Sequence, residues 1–146
     1  MNSFAPGKTK LGFIGLGLMG QRIAQRLLAH GYQMIIYDQD RTRVEQLIES
    51  GASPATNLAE IAANADVILS SLTDDQAVWS VYGEMKGLLS HVHQGCVIIE
   101  MTTVSPETPR GLHRIAAQRG ASYLDVTISG STPAKKLAGT NCNLIG

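Results

Sequence analysis

Gly15, Gly17 and Gly20 form a G-x-G-x-x-G run. An apolar stretch, Leu11 to Ile14, precedes it, and Leu18, Ile23, Leu27 and Leu28 follow at helical spacing. About 20 residues further on, at the end of a second apolar stretch from Met34 to Tyr37, stands a carboxylate, Asp38. In a strand–loop–helix of this kind the first glycine makes a tight turn. The second lets the main chain approach a pyrophosphate, and the third lets the helix lie close on the strand. Phosphates then meet free N–H groups at the positive end of the helix dipole, and the carboxylate accepts both hydroxyls of an adenine ribose. A close strand-to-helix crossing without ligand also needs glycines. Asp38, at the expected distance, is what favours nucleotide binding. A carboxylate there repels a 2′-phosphate, so NAD is favoured over NADP, although Arg41 and Arg43 follow closely enough to reach such a phosphate.

These residues need a frame, and the pattern along the chain supplies one. After the strand at 11–14 and the helix that ends near His30 and Gly31 comes the strand at 34–37. A helix over 41–50 follows, with Thr42 and Glu45 at capping-box spacing, then a short helix begun by Asn57 with Glu60. A strand over 65–72 leads to a helix opened by Thr73 and Gln76, with Asp74 and Asp75 favourable to its dipole. A strand over 95–100, a helix over 106–119 capped by Ser105, a strand over 121–126 and a polar strand over 141–145 complete the alternation. Strands separated by helices are the pattern of an α/β, Rossmann-type doubly wound fold: a mostly parallel sheet with helices on both faces. The expected organisation is a flexible N-terminus over 1–9 and one dinucleotide-binding domain over 10–146.

Composition excludes several other classes. With 44% hydrophobic and 16% charged residues, the 146-residue chain has the makings of one well-filled core. Twelve basic residues balance twelve acidic ones, so no long-range field draws in nucleic acid or an anionic membrane surface. The apolar run at 11–19 is too short to span a bilayer, and the helical periodicity after Gly20 argues against a signal peptide. Cys96 and Cys142 sit in apolar, strand-like segments and read as inert core thiols of a reduced, cytoplasmic protein. His91 and His93 lie two apart in a loop with no cluster of cysteines or carboxylates about them, and with His30 and His113 they give no metal site.

The run Gly12-Phe13-Ile14-Gly15-Leu16-Gly17-Leu18-Met19-Gly20 resembles the signature of the β-hydroxyacid dehydrogenases, which include 3-hydroxyisobutyrate dehydrogenase and tartronate semialdehyde reductase and whose NAD-binding domain is 6-phosphogluconate dehydrogenase-like. Residues 100–106, Glu-Met-Thr-Thr-Val-Ser-Pro, resemble that family's D-x-S-T-x-S-P stretch, and residues 125–131, Asp-Val-Thr-Ile-Ser-Gly-Ser, its D-x-P-V-S-G-G substrate motif. The resemblance implies an NAD(P)-dependent oxidoreductase that interconverts a small 3-hydroxy acid and its semialdehyde or reduces a related aldehyde acid. It implies that Gly15, Leu16, Gly17, Leu18, Met19 and Gly20 hold the pyrophosphate, and that Leu72 and Thr73 line the adenine-ribose side. Thr103 would lie beside the nicotinamide, and Ser129, Gly130 and Ser131 would bind the substrate carboxylate.

This sequence departs from the pattern at several of these places. Glu100 replaces an aspartate, Thr127 a proline and Ser131 a glycine, while Asn141, Asn143, Lys135 and Lys136 are more polar than the family's usual residues. The proton-transferring lysine of the family, in a G-x-x-x-K-x-x-N pattern, is expected beyond residue 146, with an all-helical domain that completes the site and the dimer. No residue here matches it, so no catalytic residue is assigned within the chain. Self-association into a homo-oligomer is expected where the helical domain would otherwise cover the surface. The alternative is a non-catalytic dinucleotide-binding or interaction module; a methyltransferase with a similar glycine loop gives no reason for Ser129-Gly130.

Overall fold

Along each central strand the side chains point alternately to two faces, and both faces are apolar. The computed structural model describes residues 3–83, 85–128 and 143–145. Its elements run β1 (Lys10–Ile14), α1 (Leu18–Ala29), β2 (Gln33–Tyr37), α2 (Arg41–Ile48), β3 (Ser53–Pro54), α3 (Leu58–Asn64), β4 (Val67–Ser70), α4 (Asp75–Tyr82), a 3-10 turn (Leu88–Ser90), β5 (Val97–Glu100), α5 (Glu107–Gln118), β6 (Ser122–Thr127) and β7 (Asn143–Ile145). They form a seven-stranded sheet of order β3-β2-β1-β4-β5-β6-β7. The strands from β3 to β6 pair in parallel, and β7 lies antiparallel on β6. This is the doubly wound arrangement expected from the alternation of strands and helices.

Leu11, Phe13, Met34, Ile36, Val67 and Leu69 pack on one face with Ala24 of α1 and Leu47 of α2. Ile14, Ile68, Ile98 and Tyr123 pack on the other with Ile61 of α3, Tyr82 of α4 and Leu112 of α5. A strand buried on both sides loses the simple polar–apolar alternation, which is why β1 and β4 read as continuous apolar runs. Among the described residues no helix is long and apolar enough to cross a membrane.

Several boundaries differ from the sequence pattern for local reasons. The caps of α2 and α4 are Asp40 and Asp74 rather than Thr42 and Thr73. Each aspartate accepts a first-turn N–H, from Thr42 at 3.0 Å and Ala77 at 2.8 Å, and a charged acceptor outcompetes a hydroxyl beside the helix dipole. Asn57 caps α3 as the pattern predicts, through the Glu60 N–H at 2.9 Å. Ser105 does not cap α5 with its side chain; its hydroxyl donates to Asp75 at 2.8 Å and ties α5 to α4. The strand predicted over 65–72 is confined to Val67–Ser70. Ala65 there closes α3, and Leu72 gives its N–H to a side chain instead of a neighbouring strand.

At the amino edge of the sheet, His93 Nε2 lies 2.9 Å from the Ala65 carbonyl oxygen and Nδ1 lies 3.0 Å from that of Gln94. Both ring nitrogens can donate only in the imidazolium, so the Gln94 carbonyl first and the Ala65 carbonyl second raise the pKa above its ordinary 6.5; Asp66 adds to this and burial opposes it. A raised folded pKa gives stability that is present below the unfolded value and lost as pH rises through the folded one. The melting-temperature advantage of the wild type over His93→Ala should therefore be larger at pH 5 than at pH 8.5. An advantage that grows with pH in thermal unfolding would contradict this.

Candidate functional site

The strand order reverses between β1 and β4. β1 leads outward through β2 to β3, and the chain then crosses back to β4. The loops after β1 and β4 touch at Gly15 and Ser71 and then lead to helices on opposite faces, which leaves a crevice at the carboxyl edge, the place where open α/β sheets bind ligands. A cleft of about 380 Å³ opens there, walled by Gly15, Gly17, Leu18 and Met19 on one side, Asp38 and Arg43 at one end, and Leu72 and Thr73 opposite.

The three glycines have three separate physical reasons. Gly15 turns with φ of +88°, and a Cβ on it would lie 2.1 Å from the Ser71 carbonyl oxygen. Gly20 lies inside α1, where a Cβ would come within 2.1 Å of the Gly15 oxygen and 3.2 Å of the Phe13 ring. Gly17 is different, because a Cβ there would meet nothing within 4 Å. Its bareness serves neither packing nor a positive φ, and it leaves open space over the main chain. Beside it the N-terminus of α1 has no side-chain cap and no acidic residue in its first turn, and the first helical bond runs from Gln21 N–H to Gly17 O at 2.8 Å. The preceding amides therefore point out of the helix end with no intrahelical partner.

Asp38 is fixed from both sides. One carboxylate oxygen accepts the Leu16 N–H at 2.6 Å and the other the Asp40 N–H at 2.7 Å. Arg43 reaches over it, 3.8 Å from Asp38 and 3.5 Å from Asp40, with half its side chain in water. The pair with Asp40, half exposed on both sides, contributes about 0–1 kcal/mol, whereas the Asp38 side chain is only 10% exposed. Leu16 turns its side chain into the core, 1% exposed, and brings only its main chain to the cleft. Leu18 is 72% exposed at the cleft mouth.

Pattern reading of the sequence did not identify Gln39, Ser71, Ala77, Ser80 and Val81, which also line the cleft. The last three share one face of α4 at i, i+3 and i+4. That spacing, in a helix following the strand at the reversal point, was the available signal. Thr103 is exposed after β5 and is not among the residues lining this cleft. Ser129, Gly130 and Ser131 lie outside the described residues.

Behind the opposite wall sits a buried polar cluster. Glu100 is 0% exposed; one carboxyl oxygen accepts the Thr102 N–H at 2.8 Å and the other bonds to the Ser70 hydroxyl, which lies 2.5 Å from Tyr82 Oη. Burial raises the Glu100 pKa, and the charge of Asp125, its register neighbour on β6, adds to the effect against the hydrogen bonds from Ser70 and Thr102. Burial likewise pushes the Tyr82 phenol well above its usual range. Tyr123, edge-on to Tyr82 at 6.1 Å, keeps a buried hydroxyl with no partner among the described residues. No group of three or more His, Cys, Asp and Glu among the described residues could hold a metal ion.

The glycine geometry separates folding from binding. Gly20→Ala forces the loop off α1 and should destabilise the chain by about 1–3 kcal/mol, whereas Gly17→Ala should unfold within about 0.5 kcal/mol of the wild type. Denaturant unfolding checks both, and equal losses for the two variants would refute the assignment of separate roles.

The family model for the NAD binding domain of 6-phosphogluconate dehydrogenase matches residues 10–142. Among curated proteins, the NAD-dependent L-serine dehydrogenase of Pseudomonas aeruginosa is 36% identical over 137 residues, which are 94% of this chain and 46% of that enzyme. The mitochondrial 3-hydroxyisobutyrate dehydrogenase of Mus musculus is 34% identical over 129 residues, 88% of this chain and 38% of that protein. The solved structure of Psf3 in complex with NADP+ and 2-OPP superposes with a TM-score of 0.79 at 36% identity, covering 82% of this chain and 43% of Psf3. The chain spans less than half the length of these relatives. With its glycine loop, its strand reversal and its acidic residue after β2, the chain belongs to the family of the NAD binding domain of 6-phosphogluconate dehydrogenase, in the branch of the 3-hydroxyisobutyrate dehydrogenase-like β-hydroxyacid dehydrogenases.

Proposed function

We propose that residues 10–146 form the dinucleotide-binding part of an NAD(P)-dependent oxidoreductase that interconverts a small 3-hydroxy acid and its semialdehyde, or reduces a related aldehyde acid. The observation that carries the dinucleotide half is Gly17: a glycine with no packing role and no positive φ, set between an uncapped helix end and a fixed carboxylate. The amides at the start of α1 would receive the pyrophosphate, Asp38 the adenine ribose, and the α4 face with Leu72 and Thr73 the adenine side. When bound, the nicotinamide supplies or accepts a hydride. Thr103 would help place that ring from the loop after β5.

The substrate half rests on the kinship with enzymes named for L-serine and 3-hydroxyisobutyrate. Ser129, Gly130 and Ser131, which follow β6 in sequence, would hold a substrate carboxylate through hydroxyls and N–H groups, and a lysine beyond residue 146 would handle the proton. NAD is the favoured cofactor because main-chain N–H groups already hold the Asp38 carboxylate at the ribose position. NADP is the second reading, favoured by Arg43 on the cleft rim and by the NADP+ held by Psf3.

Calorimetric titration with NADH and NADPH tests this. NADH should bind at micromolar concentration and more tightly than NADPH, and Asp38→Ala should weaken NADH about 10- to 100-fold, the worth of hydrogen bonds to a charged acceptor. Arg43→Ala should leave NADH binding unchanged and weaken NADPH. Tighter binding of NADPH would decide for the second reading, and binding of neither would remove the dinucleotide assignment.

A further inference from the structure

Ser70, Glu100 and Asp125 are register partners at the carboxyl ends of β4, β5 and β6. A carboxylic acid buried at 0% exposure, with another acid beside it, is an expensive thing to keep in a core. Its bonds show what it does there. Glu100 accepts the N–H of Thr102 on its own strand's loop and joins the hydroxyl of Ser70 on the neighbouring strand. Thr102, in turn, accepts the N–H of Leu72 on its hydroxyl oxygen at 2.7 Å. From Ser70 to Leu72, across to Thr102 and back through Glu100, the bonds close a ring around the ends of β4 and β5. Tyr82 joins it through Ser70 and brings in α4, the helix that carries Ala77, Ser80 and Val81 of the cleft wall.

We propose that Glu100 is a positioning residue for the dinucleotide cleft, holding the 70–73 loop, the 101–103 loop and α4 in one fixed arrangement through Ser70, Thr102 and Tyr82. This rests on the dinucleotide reading of the cleft. The two loops carry Leu72 and Thr73 on one side and Thr103 on the other, so the ring sets the wall on which the ribose and nicotinamide would lie. Helix packing alone does not supply this, because the Leu72 N–H finds its partner in a side chain, not in the sheet. The Ser70 hydroxyl donates to one Glu100 carboxyl oxygen and the Thr102 N–H to the other. A glutamine amide keeps an oxygen for the Thr102 N–H and presents an N–H to Ser70, whose hydroxyl can accept it and turn its own proton to Tyr82.

The test uses the wild-type chain, Thr102→Val, Glu100→Gln and Glu100→Ala, with thermal unfolding to establish that each is folded, amide exchange by NMR at Leu72 and Thr102, and NADH titration. Thr102→Val keeps the shape of the side chain and carries the test if Glu100→Ala fails to fold. In Thr102→Val the Leu72 amide should exchange at least about tenfold faster and NADH should bind about tenfold more weakly, the effect of one lost buried bond. Glu100→Gln should keep both wild-type values. Unchanged Leu72 exchange in folded Thr102→Val overturns the ring itself. Faster exchange with unchanged NADH affinity overturns the positioning role alone. A wild-type chain that binds neither NADH nor NADPH overturns the dinucleotide reading and the positioning role with it, while the exchange rates still report on the ring.

Discussion

Two backbone contacts that leave no room for a methyl group set the geometry of this molecule: Gly15 against the main chain of Ser71, and Gly20 against the main chain of Gly15. The first brings the loop after β1 onto the loop after β4, across the point where the strand order reverses. The second presses the start of α1 onto that loop. Together they fix where the helix begins, and hence where its unpaired amides point. The two cores beneath, one on each face of the sheet, supply apolar burial for the fold.

On that frame the two walls of the cleft are built by different chemistry. The wall from β1 and β2 is held by main-chain donors on one carboxylate, with Asp38 gathering the Leu16 and Asp40 amides. The opposite wall is held by a buried carboxyl and hydroxyls, Glu100 with Ser70, Thr102 and Tyr82. Beyond it, Asp75 of α4 receives the Ser105 main chain and hydroxyl and the Thr108 hydroxyl, the latter at 2.6 Å, which keeps α4 and α5 together. Those bonds lower the Asp75 pKa, Thr108 contributing most. Glu100 is pushed in the opposite direction by burial. Hydrogen bonds thus favour the anion of the acid between the helices, while burial works against the anion of the acid between the loops.

Much of this was legible in the sequence, and the reasons for the rest are local. Long apolar runs announced β1, β2, β4, β5 and β6, helical periodicity or capping spacing announced the five helices, and the glycine spacing with Asp38 marked the cleft. β3 escaped because it consists of Ser53 and Pro54 alone, a pair with no apolar pattern that exists only through its pairing to β2. The 3-10 turn at Leu88–Ser90 is likewise too short to show a period. Thr42 and Thr73 looked like helix caps because spacing cannot rank a hydroxyl against a carboxylate close by. Glu100 was visible only as a departure from a family pattern. Its partner Ser70 is 30 residues away in sequence and adjacent only through the register of β4 and β5.

On the proposed dinucleotide reading, Asp38 would be a ligand group and a structural group at once. Its two main-chain bonds hold the carboxylate in place and leave each oxygen with further lone pairs, since an ionised carboxylate has about four acceptor positions. A ribose diol can therefore add its bonds without displacing Leu16 or Asp40, and little ordering of the side chain is left for the binding step to supply. A 2′-phosphate would meet the same fixed charge head on, with Arg43 the cleft-lining cation able to swing between carboxylate and phosphate. On the proposed reading, cofactor choice would set a carboxylate held by two main-chain bonds against a guanidinium half in water.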